Sequence, residues 1–351
     1  MNRKMKLAVI FVSAAVLVSG CAMGGATGEK TVAGNAALEK EAYGEAAALF
    51  EEAAAEGEQP VLAWRGLGMA YMGLAQYEDA ENAFQEALDH TDKRMPETVR
   101  DLQLYLASTQ YRMNEYEETI NTCDRILSKD DGVSSDAYFL RGAGYLKQGQ
   151  QEEAKQDFDA AVALSPDSYD LYLNIYECYE EMNLSGLGTG YLQSALDIHG
   201  DETEDPYHRG RIYYYLEDYE RAQSELAVPV EAQHEPAMYL MGEVYLAQED
   251  YVHAKNMYEQ LRGAYGDTPK CYNGLAMCAM EEGKYDEALA YLEQGLQMED
   301  ETGRQELYFN EMVAYEKKLD FETAKQKAQE YVAKYPSDER GQKELVFLKT
   351  R

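Results

Sequence analysis

The chain has 351 residues, of which 45% are hydrophobic and 28% are charged, a usual composition for a folded protein with a sizeable core. Asp and Glu number 65 against 32 Lys and Arg, which gives a formal net charge of -33. This balance disfavours nucleic-acid binding, because such proteins neutralise phosphates with basic side chains, and it disfavours docking on anionic lipid through a basic face. Eight prolines are few for this length, which favours helix.

The first twenty residues have the composition of an export signal. Residues 1–6 carry three basic residues and no acid, and residues 7–19 are apolar apart from two serines. The apolar run is shorter than the roughly 20 residues that span a bilayer, and a basic start before a short apolar stretch is typical of a secretory signal peptide. The sequence therefore predicts that residues 1–20 are a cleaved signal peptide.

The end of this stretch predicts how the mature chain begins. It reads Leu17-Val18-Ser19-Gly20-Cys21. This order resembles the cleavage box of bacterial lipoproteins, in which an aliphatic residue and two small residues precede an obligatory cysteine. The resemblance implies a lipid on Cys21 that anchors the protein in the bilayer of a cell membrane or outer membrane, facing outside the cytoplasm; an ordinary signal peptide cut nearby, or an uncleaved anchor, is the alternative. Residues 21–34, rich in Gly, Ala and Thr, are expected to form a lipidated flexible tether.

A spaced pattern of large and small residues appears within residues 64–87. Its members are Trp64, Leu67, Gly68, Tyr71, Tyr77, Ala80, Phe84 and Ala87. The spacing resembles the tetratricopeptide repeat (TPR), a helix-turn-helix unit of about 34 residues. The resemblance implies that Gly68 and Ala80 let the two helices of the unit approach each other closely.

The small residue that opens the second helix of this unit recurs nine times. The nine positions are Ala46, Ala80, Thr119, Ala154, Gly188, Ala222, Ala254, Ala288 and Ala324. Neighbouring positions lie 32 to 39 residues apart, and no run alternates with period two for long enough to form a sheet. The sequence therefore predicts an all-α fold, an α-α superhelix (TPR solenoid) of about nine repeats over residues 35–336, closed by a C-terminal capping helix over residues 337–351.

Local irregularities modify this prediction. An insertion at residues 91–100 offsets the third repeat. Pro229 falls inside the second helix of the sixth repeat and is expected to cut that helix short. Together with the acidic run at residues 201–205, it predicts a bend of the array near residues 183–236.

The four cysteines beyond the N-terminal segment occupy small or apolar places of the repeat, which favours a core role. They are Cys123, Cys178, Cys271 and Cys278. Cys271 and Cys278 lie seven residues apart on one predicted helix, about 10.5 Å, which is too far for a disulfide. A disulfide between repeats, or a metal site, stays open as the alternative.

The sequence shows no pattern of a catalytic, cofactor or metal site. The five histidines have no ligand spacing, and the chain contains neither HExxH nor CxxC. The Gly-rich residues 186–190 lack the preceding strand of a phosphate loop and are interpreted as a turn and a close-packing site, with Gly188 among the small marker residues. The acid-rich loops lack the alternating ligands of a defined calcium loop, although weak calcium binding stays open. We therefore expect no enzyme, no cofactor and no metal.

First helices line the concave side of a tetratricopeptide superhelix, so the resemblance implies a groove for a protein or peptide ligand along them. Their fifth, ninth and twelfth places are largely aromatic or apolar, and Tyr, Met and Arg are enriched at interfaces. The predicted groove residues are Arg65, Met69, Tyr105, Arg112, Phe139, Tyr207, Arg211, Tyr214, Tyr239 and Phe309. The sequence thus predicts a non-catalytic protein-interaction scaffold or adaptor at the cell envelope. The alternative is a surface lipoprotein that binds glycans or cell-wall polymers, because tyrosine-lined grooves also stack on sugars.

Overall fold

The computed structural model of the chain describes residues 28–129, 133–200, 203–298, 303–336 and 338–351. These residues form nineteen α-helices and no strand, which confirms the all-α prediction. The predicted signal peptide, Cys21 and the first part of the tether, up to residue 27, lie outside the described residues. Of the helices described, none is long and apolar enough to cross a membrane.

One compact unit covers the described residues up to Ile198. It contains five helix pairs, in which each helix packs against the next one in the chain up to α10. The helices are α1 (Glu29–Glu39), α2 (Tyr43–Ala55), α3 (Pro60–Gly73), α4 (Tyr77–His90), α5 (Pro96–Arg112), α6 (Tyr116–Leu127), α7 (Ser135–Lys147), α8 (Gln151–Leu164), α9 (Tyr169–Glu181) and α10 (Ser185–Ala195).

The other compact unit covers the described residues from His199 onward. It contains four helix pairs and a closing helix. The helices are α11 (Asp205–Tyr215), α12 (Tyr219–Glu231), α13 (Glu235–Ala247), α14 (Tyr251–Tyr265), α15 (Pro269–Glu281), α16 (Tyr285–Leu296), α17 (Arg304–Lys317), α18 (Phe321–Lys334) and α19 (Glu339–Leu348). The nine pairs agree with the predicted number of repeats, with the odd-numbered helix first in each pair.

The turn inside each pair is set by helix packing. In all nine pairs one turn residue has a positive φ: Glu41, Ala75, Asn114, Gly149, Asn183, Glu217, Glu249, Gly283 and Leu319. Only two of the nine are glycine, the residue that adopts this left-handed conformation without steric cost. The others accept a cost of about 1 kcal/mol each, so the turn conformation follows from how the two helices pack.

The core of the first unit shows why the repeat needs glycine. The ring of Phe50 on α2 is fully buried between Gly34 on α1 and Gly66 on α3, and a Cβ on either glycine would lie less than 3.0 Å from that ring. Phe84 occupies the same kind of space beside Gly68. Glycine in the first helices therefore makes room for a second-helix ring.

The second unit repeats this arrangement with tyrosine. Tyr258 on α14 is fully buried between Gly242 on α13 and Gly274 on α15, again with no room for a Cβ on either glycine. Because each such ring touches the first helix of its own repeat and that of the next, it joins neighbouring repeats into one core.

The N-terminal boundary of the predicted array needs correction. Helix α1 begins at Glu29, so residues 29–34 are helical and do not belong to a flexible tether. Thr31 and Gly34 are buried, and the Thr31 backbone N–H donates to Glu58 Oε1 at 2.8 Å. The helix extends back to Glu29 because these residues pack against Phe50 on α2 and bind Glu58 in the loop after α2.

The expectation that Pro229 shortens its helix is wrong. Helix α12 runs to Glu231 with Pro229 inside it. The proline lies in the last turn, where it removes a single hydrogen bond, and its ring is buried. The insertion before the third repeat is also partly helical, because α5 begins at Pro96 and has 17 residues.

Helix α19 lies in the segment predicted to cap the array, and it packs on α18. Leu348 is fully buried there, whereas Val346 is 65% exposed and takes no part in the closure. The bend expected near residues 183–236 concerns motion of the array and stays a prediction.

The four cysteines of the described chain are unpaired and buried, as their places in the repeat predict. Burial raises the pKa of each thiol, in the case of Cys278 to about 12. They behave as small core residues.

Candidate functional site

Four of the ten predicted groove residues are buried. They are Tyr105, Phe139, Tyr214 and Phe309, each 5–7% exposed. The Tyr105 ring stacks on Phe84 at 5.1 Å between centroids, and the Phe309 ring lies 5.5 Å from that of Tyr331. These four predicted groove residues are therefore part of the helix packing, because their rings contact aromatic residues of the second helices.

The other six predicted groove residues keep partial exposure. Three lie in the first unit and three in the second: Arg65, Met69 and Arg112, and Tyr207, Arg211 and Tyr239. Arg65 is already engaged, since its Nε lies 2.9 Å from Asp101 Oδ2 and its Cζ lies 5.3 Å from the Tyr105 ring centroid. These contacts join α3 to α5, so a partner would find this guanidinium already paired.

Tyr207 and Arg211 lie one turn apart on α11 and belong to an aromatic and cationic cluster. The Arg211 Cζ is 5.7 Å from the Tyr207 ring centroid, and its Nη1 is 3.3 Å from His208 Nδ1. The Tyr207 ring meets the His234 ring edge-on at 4.9 Å. His234 also caps α13 by accepting a hydrogen bond from the Ala237 backbone N–H at 3.3 Å. The cluster therefore ties α11 to the start of α13.

Tyr239 belongs to a row of polar side chains that crosses α13, α15 and α17. This polar row consists of Tyr239, Glu243, Asn273 and Asn310, and the last three are buried. Asn310 Nδ2 donates to Asn273 Oδ1 at 2.7 Å, and the Asn273 side chain hydrogen-bonds the Tyr239 phenol. Three consecutive first helices are thus linked by side-chain hydrogen bonds, which fixes the position of the Tyr239 ring.

Glu243 is the ionisable buried member of the polar row. It is 5% exposed, and the Tyr258 hydroxyl donates to its Oε1 at 2.7 Å. Burial raises the pKa of Glu243 to about 6, against the opposing effect of that hydrogen bond. Such shifts cluster at functional sites, and this one lets the row change charge at mildly acidic pH.

The sequence prediction missed Glu243, Asn273 and Asn310. A signal was present for Asn273, because it interrupts the fifth-place column, which apart from Arg65 is otherwise aromatic or apolar. What the pattern could not show is that the Asn310 amide reaches Asn273 from the next first helix.

The described residues contain no group of three or more His, Cys, Asp or Glu side chains placed to hold a metal. Residues 186–190, expected to form a turn, lie inside α10. A Cβ on Gly188 would lie 3.1 Å from the Tyr176 Cα, so the predicted role of this glycine in close helix packing is confirmed.

Stacked helix pairs, several of which bury a second-helix ring against first-helix glycines, define a helical-repeat protein. Residues 61–93 and 135–168 match the family model of the tetratricopeptide repeat, and residues 224–295 match the model described as anaphase-promoting complex, cyclosome, subunit 3. The chain is a tetratricopeptide repeat protein, which confirms the resemblance seen in the sequence.

The chain is similar over shorter stretches to several known proteins. It is 32% identical to lipopolysaccharide assembly protein B of Escherichia coli over 33% of this chain and 28% of that protein. It is 23% identical to the human mitochondrial import receptor subunit TOM70 over 54% of this chain and 32% of that protein. The chain thus spans about a third or less of the length of these relatives. A tetratricopeptide repeat protein from Parabacteroides merdae has 12% identity and a TM-score of 0.45, over 72% of this chain and 99% of the other.

Proposed function

We propose that the protein is a non-catalytic interaction scaffold that binds a protein or peptide segment on the first-helix face of its second unit. The observation that carries this proposal is the partly exposed set Tyr207, Arg211 and Tyr239 on the neighbouring helices α11 and α13. Tyr and Arg are the residue types that most often dominate the binding energy of protein interfaces.

The contacts behind this set support the proposal. Tyr239 is held by Asn273, its ring lies 5.7 Å from that of Tyr258, and Tyr207 is held by Arg211 and His234. A ring whose orientation is fixed before binding loses little conformational entropy when a partner covers it. The polar row therefore acts as the support of the contact surface.

We also propose that the protein is a lipoprotein anchored to a membrane through Cys21, with its repeats outside the cytoplasm. The support is the order Leu17-Val18-Ser19-Gly20-Cys21 at the end of a short apolar run. The test is fractionation of cells that express the wild-type chain or Cys21→Ser. The variant should keep its signal peptide or leave the membrane, whereas an unchanged size and location in Cys21→Ser would refute the anchor.

The scaffold proposal is tested by crosslinking in cells. A photoreactive phenylalanine analogue replaces Tyr207 or Tyr239, and a control places it at Val252, which is 65% exposed on the second helix α14. Mass spectrometry should find one dominant protein joined to positions 207 and 239 and absent from position 252. Adducts with wall polymer alone would favour the glycan-binding alternative, and identical adducts at all three positions would reject the site.

Substitution provides the matching affinity test on the partner so identified. The pair Tyr207→Ala and Tyr239→Ala should weaken binding by about tenfold or more, because interface aromatics are frequent hot spots. The pair Tyr207→Phe and Tyr239→Phe keeps both rings and should bind within a few-fold of wild type. Circular dichroism of each variant separates a loss of binding from a loss of fold.

A further inference from the structure

Trp64, the one tryptophan of the chain, lies in an open cleft of about 450 Å³ in the first unit. It lies on α3 together with Leu67 and Tyr71, and the second helices α2 and α4 supply the other lining residues. The cleft is separate from the first-helix face of the second unit, so a ligand bound in it is independent of the proposed scaffold site.

The cleft is acidic. Glu51 from α2 and Asp79 and Glu86 from α4 line it, all three are exposed, and none of its ten lining residues is basic. The Tyr71 hydroxyl donates to Glu51 Oε1 at 2.6 Å, which fixes that carboxylate at the edge of the aromatic surface. We call this site, lined by Trp64, Tyr71, Glu51, Asp79 and Glu86, the acidic cleft.

Other repeats show what an aromatic residue at the position of Trp64 does. Tyr138, Tyr172, Tyr272 and Tyr308 occupy the same place, each 16 residues before the small residue that opens the second helix of its repeat. In three of these four repeats a cation of this chain lies over the ring, whereas the Tyr172 hydroxyl donates to the backbone oxygen of Pro166 at 3.2 Å. The distances to the ring centroids are 5.5 Å for Arg141 over Tyr138, 4.8 Å for Arg262 over Tyr272 and 5.0 Å for Lys334 over Tyr308.

The second repeat lacks the residues that would supply such a cation. Ala54 stands where the repeat register places Arg262, and Leu67 stands where it places Arg141. His90 stands at the place of Lys334, and its Nδ1 lies 2.8 Å from the backbone oxygen of Glu86 on its own helix. Within the described part of the chain, no Lys or Arg lies over the Trp64 ring. Trp64 therefore presents the best cation-binding ring of the five without an internal cation.

We propose that the acidic cleft receives an arginine or lysine side chain of a partner protein, with its charge over Trp64 and beside Glu51, Asp79 and Glu86. Arginine fits best, because a planar guanidinium stacks on indole while its N–H groups reach carboxylates. The partner chemistry follows from charge complementarity, since three carboxylates surround an aromatic face that carries a cation in three of its four sister repeats.

The test uses the full-length protein in detergent and the fluorescence of Trp64. An acetylated hexa-arginine amide is titrated against the protein, and the matched hexa-citrulline peptide, which is neutral and nearly the same shape, serves as the peptide control. The arginine peptide should change the Trp64 emission with a saturable curve that weakens with added salt. The citrulline peptide should not bind in the same range.

Variants distinguish binding at the acidic cleft from attraction to the overall negative charge of the protein. Glu51→Gln, Asp79→Asn and Glu86→Gln together should weaken binding by about tenfold or more. A control with the same net charge carries Glu117→Gln, Glu220→Gln and Glu322→Gln, three exposed acids on other helices, and should bind like wild type. Ala54→Arg should block the peptide, because it places a guanidinium where Arg262 stands in its own repeat.

Three results would overturn the proposal. The first is an equal loss of affinity in the cleft variant and the charge-matched control, which would show that binding depends on the overall negative charge of the protein. The second is equal binding of the citrulline peptide. The third is the absence of both a saturable emission change and calorimetric heat with the arginine peptide.

Discussion

In each unit a second-helix ring fills the space between two first-helix glycines, which we call a ring slot. The two ring slots are built alike but differ in chemistry. Phe50 fills the slot between Gly34 and Gly66 with a hydrocarbon ring, whereas Tyr258 fills the slot between Gly242 and Gly274 with a phenol. A buried hydroxyl needs a partner, and Glu243 supplies one at 2.7 Å.

This comparison separates two roles of one repeat position. The ring alone is sufficient to join neighbouring repeats, as the slot of Phe50 shows. The added hydroxyl binds a carboxyl group that burial would otherwise penalise, and this makes the second unit sensitive to pH. Substitutions in the two slots test both roles, and overpacking is expected to have the largest effect.

A Cβ added to a glycine should destabilise both ring slots to a similar extent. Gly66→Ala and Gly274→Ala should each lower the free energy of unfolding by about 2–3 kcal/mol, because a Cβ meets the aromatic ring and the core is overpacked. Gly190→Ala is the control, since this α10 residue has no neighbour within 4 Å of its added Cβ. Alanine there should stabilise by up to about 1 kcal/mol. Denaturant unfolding followed by circular dichroism measures the stability of all three variants. An unchanged free energy of unfolding in Gly66→Ala or Gly274→Ala would contradict the close contact between glycine and ring.

The pH dependence of stability should distinguish the two slots. Burial raises the pKa of Glu243 from 4.5 to about 6, so the folded state holds its proton more tightly than the unfolded state between these values. The contribution of Glu243 to the free energy of unfolding therefore falls by about 2 kcal/mol as pH rises from below 4.5 to above 6. Glu243→Gln should remove this fall. The measurement is the free energy of unfolding of wild type and Glu243→Gln at pH 4.5 and pH 7.5. If the difference between the two proteins is the same at both pH values, the expected role of Glu243 is disproved.

Removal of the Tyr258 hydroxyl should lower the free energy of unfolding by less than overpacking does. Tyr258→Phe keeps the ring but deprives Glu243 of its donor, which should cost about 1–2 kcal/mol at pH 7.5. The cost should shrink at pH 4.5, where the carboxyl group is neutral. Tyr285→Phe is the matched control, because none of the described residues hydrogen-bonds its hydroxyl, and its stability should stay within about 0.5 kcal/mol of wild type.

The smallest effect is expected when both polar partners are removed. Tyr258→Phe combined with Glu243→Met turns the second slot into an apolar one like that of Phe50. Its free energy of unfolding at pH 7.5 should lie within about 1 kcal/mol of wild type, because no buried polar group loses its partner. The double variant should thus be more stable than Tyr258→Phe alone, and additive losses would show that the two residues do not interact.

The fold could be predicted because the repeat pattern consists of the residues that packing requires. Seven of the nine marker residues are alanines with no exposed surface, among them Ala46, Ala80 and Ala254. No larger side chain fits where two helices touch at that distance. The boundaries were less predictable, since the extension of α1 to Glu29 depends on contacts with Glu58 and Phe50 that no local pattern records.

The site could be predicted only in part. Residue type placed Tyr207 and Tyr239 on the first helices, but whether an aromatic ring stays exposed depends on the second-helix ring beside it. Phe139, for example, is buried because the Phe158 ring lies 5.9 Å away. Likewise, the sequence predicts Trp64 as part of the repeat, but whether a Lys or Arg of the described residues lies over its ring depends on neighbouring helices, as Arg262 on α14 does for Tyr272 on α15.

The buried thiols also provide a way to follow motion. Cys123 and Cys178 lie in the first unit, and Cys271 and Cys278 lie in the second. A thiol-specific reagent reaches such a sulfur atom only when the surrounding repeat opens, so the labelling rate reports the free energy of local opening. Each unit thus contains its own cysteine probes of local opening. The labelling rate of the first-unit thiols relative to that of the second-unit thiols tells whether the units open together or one at a time.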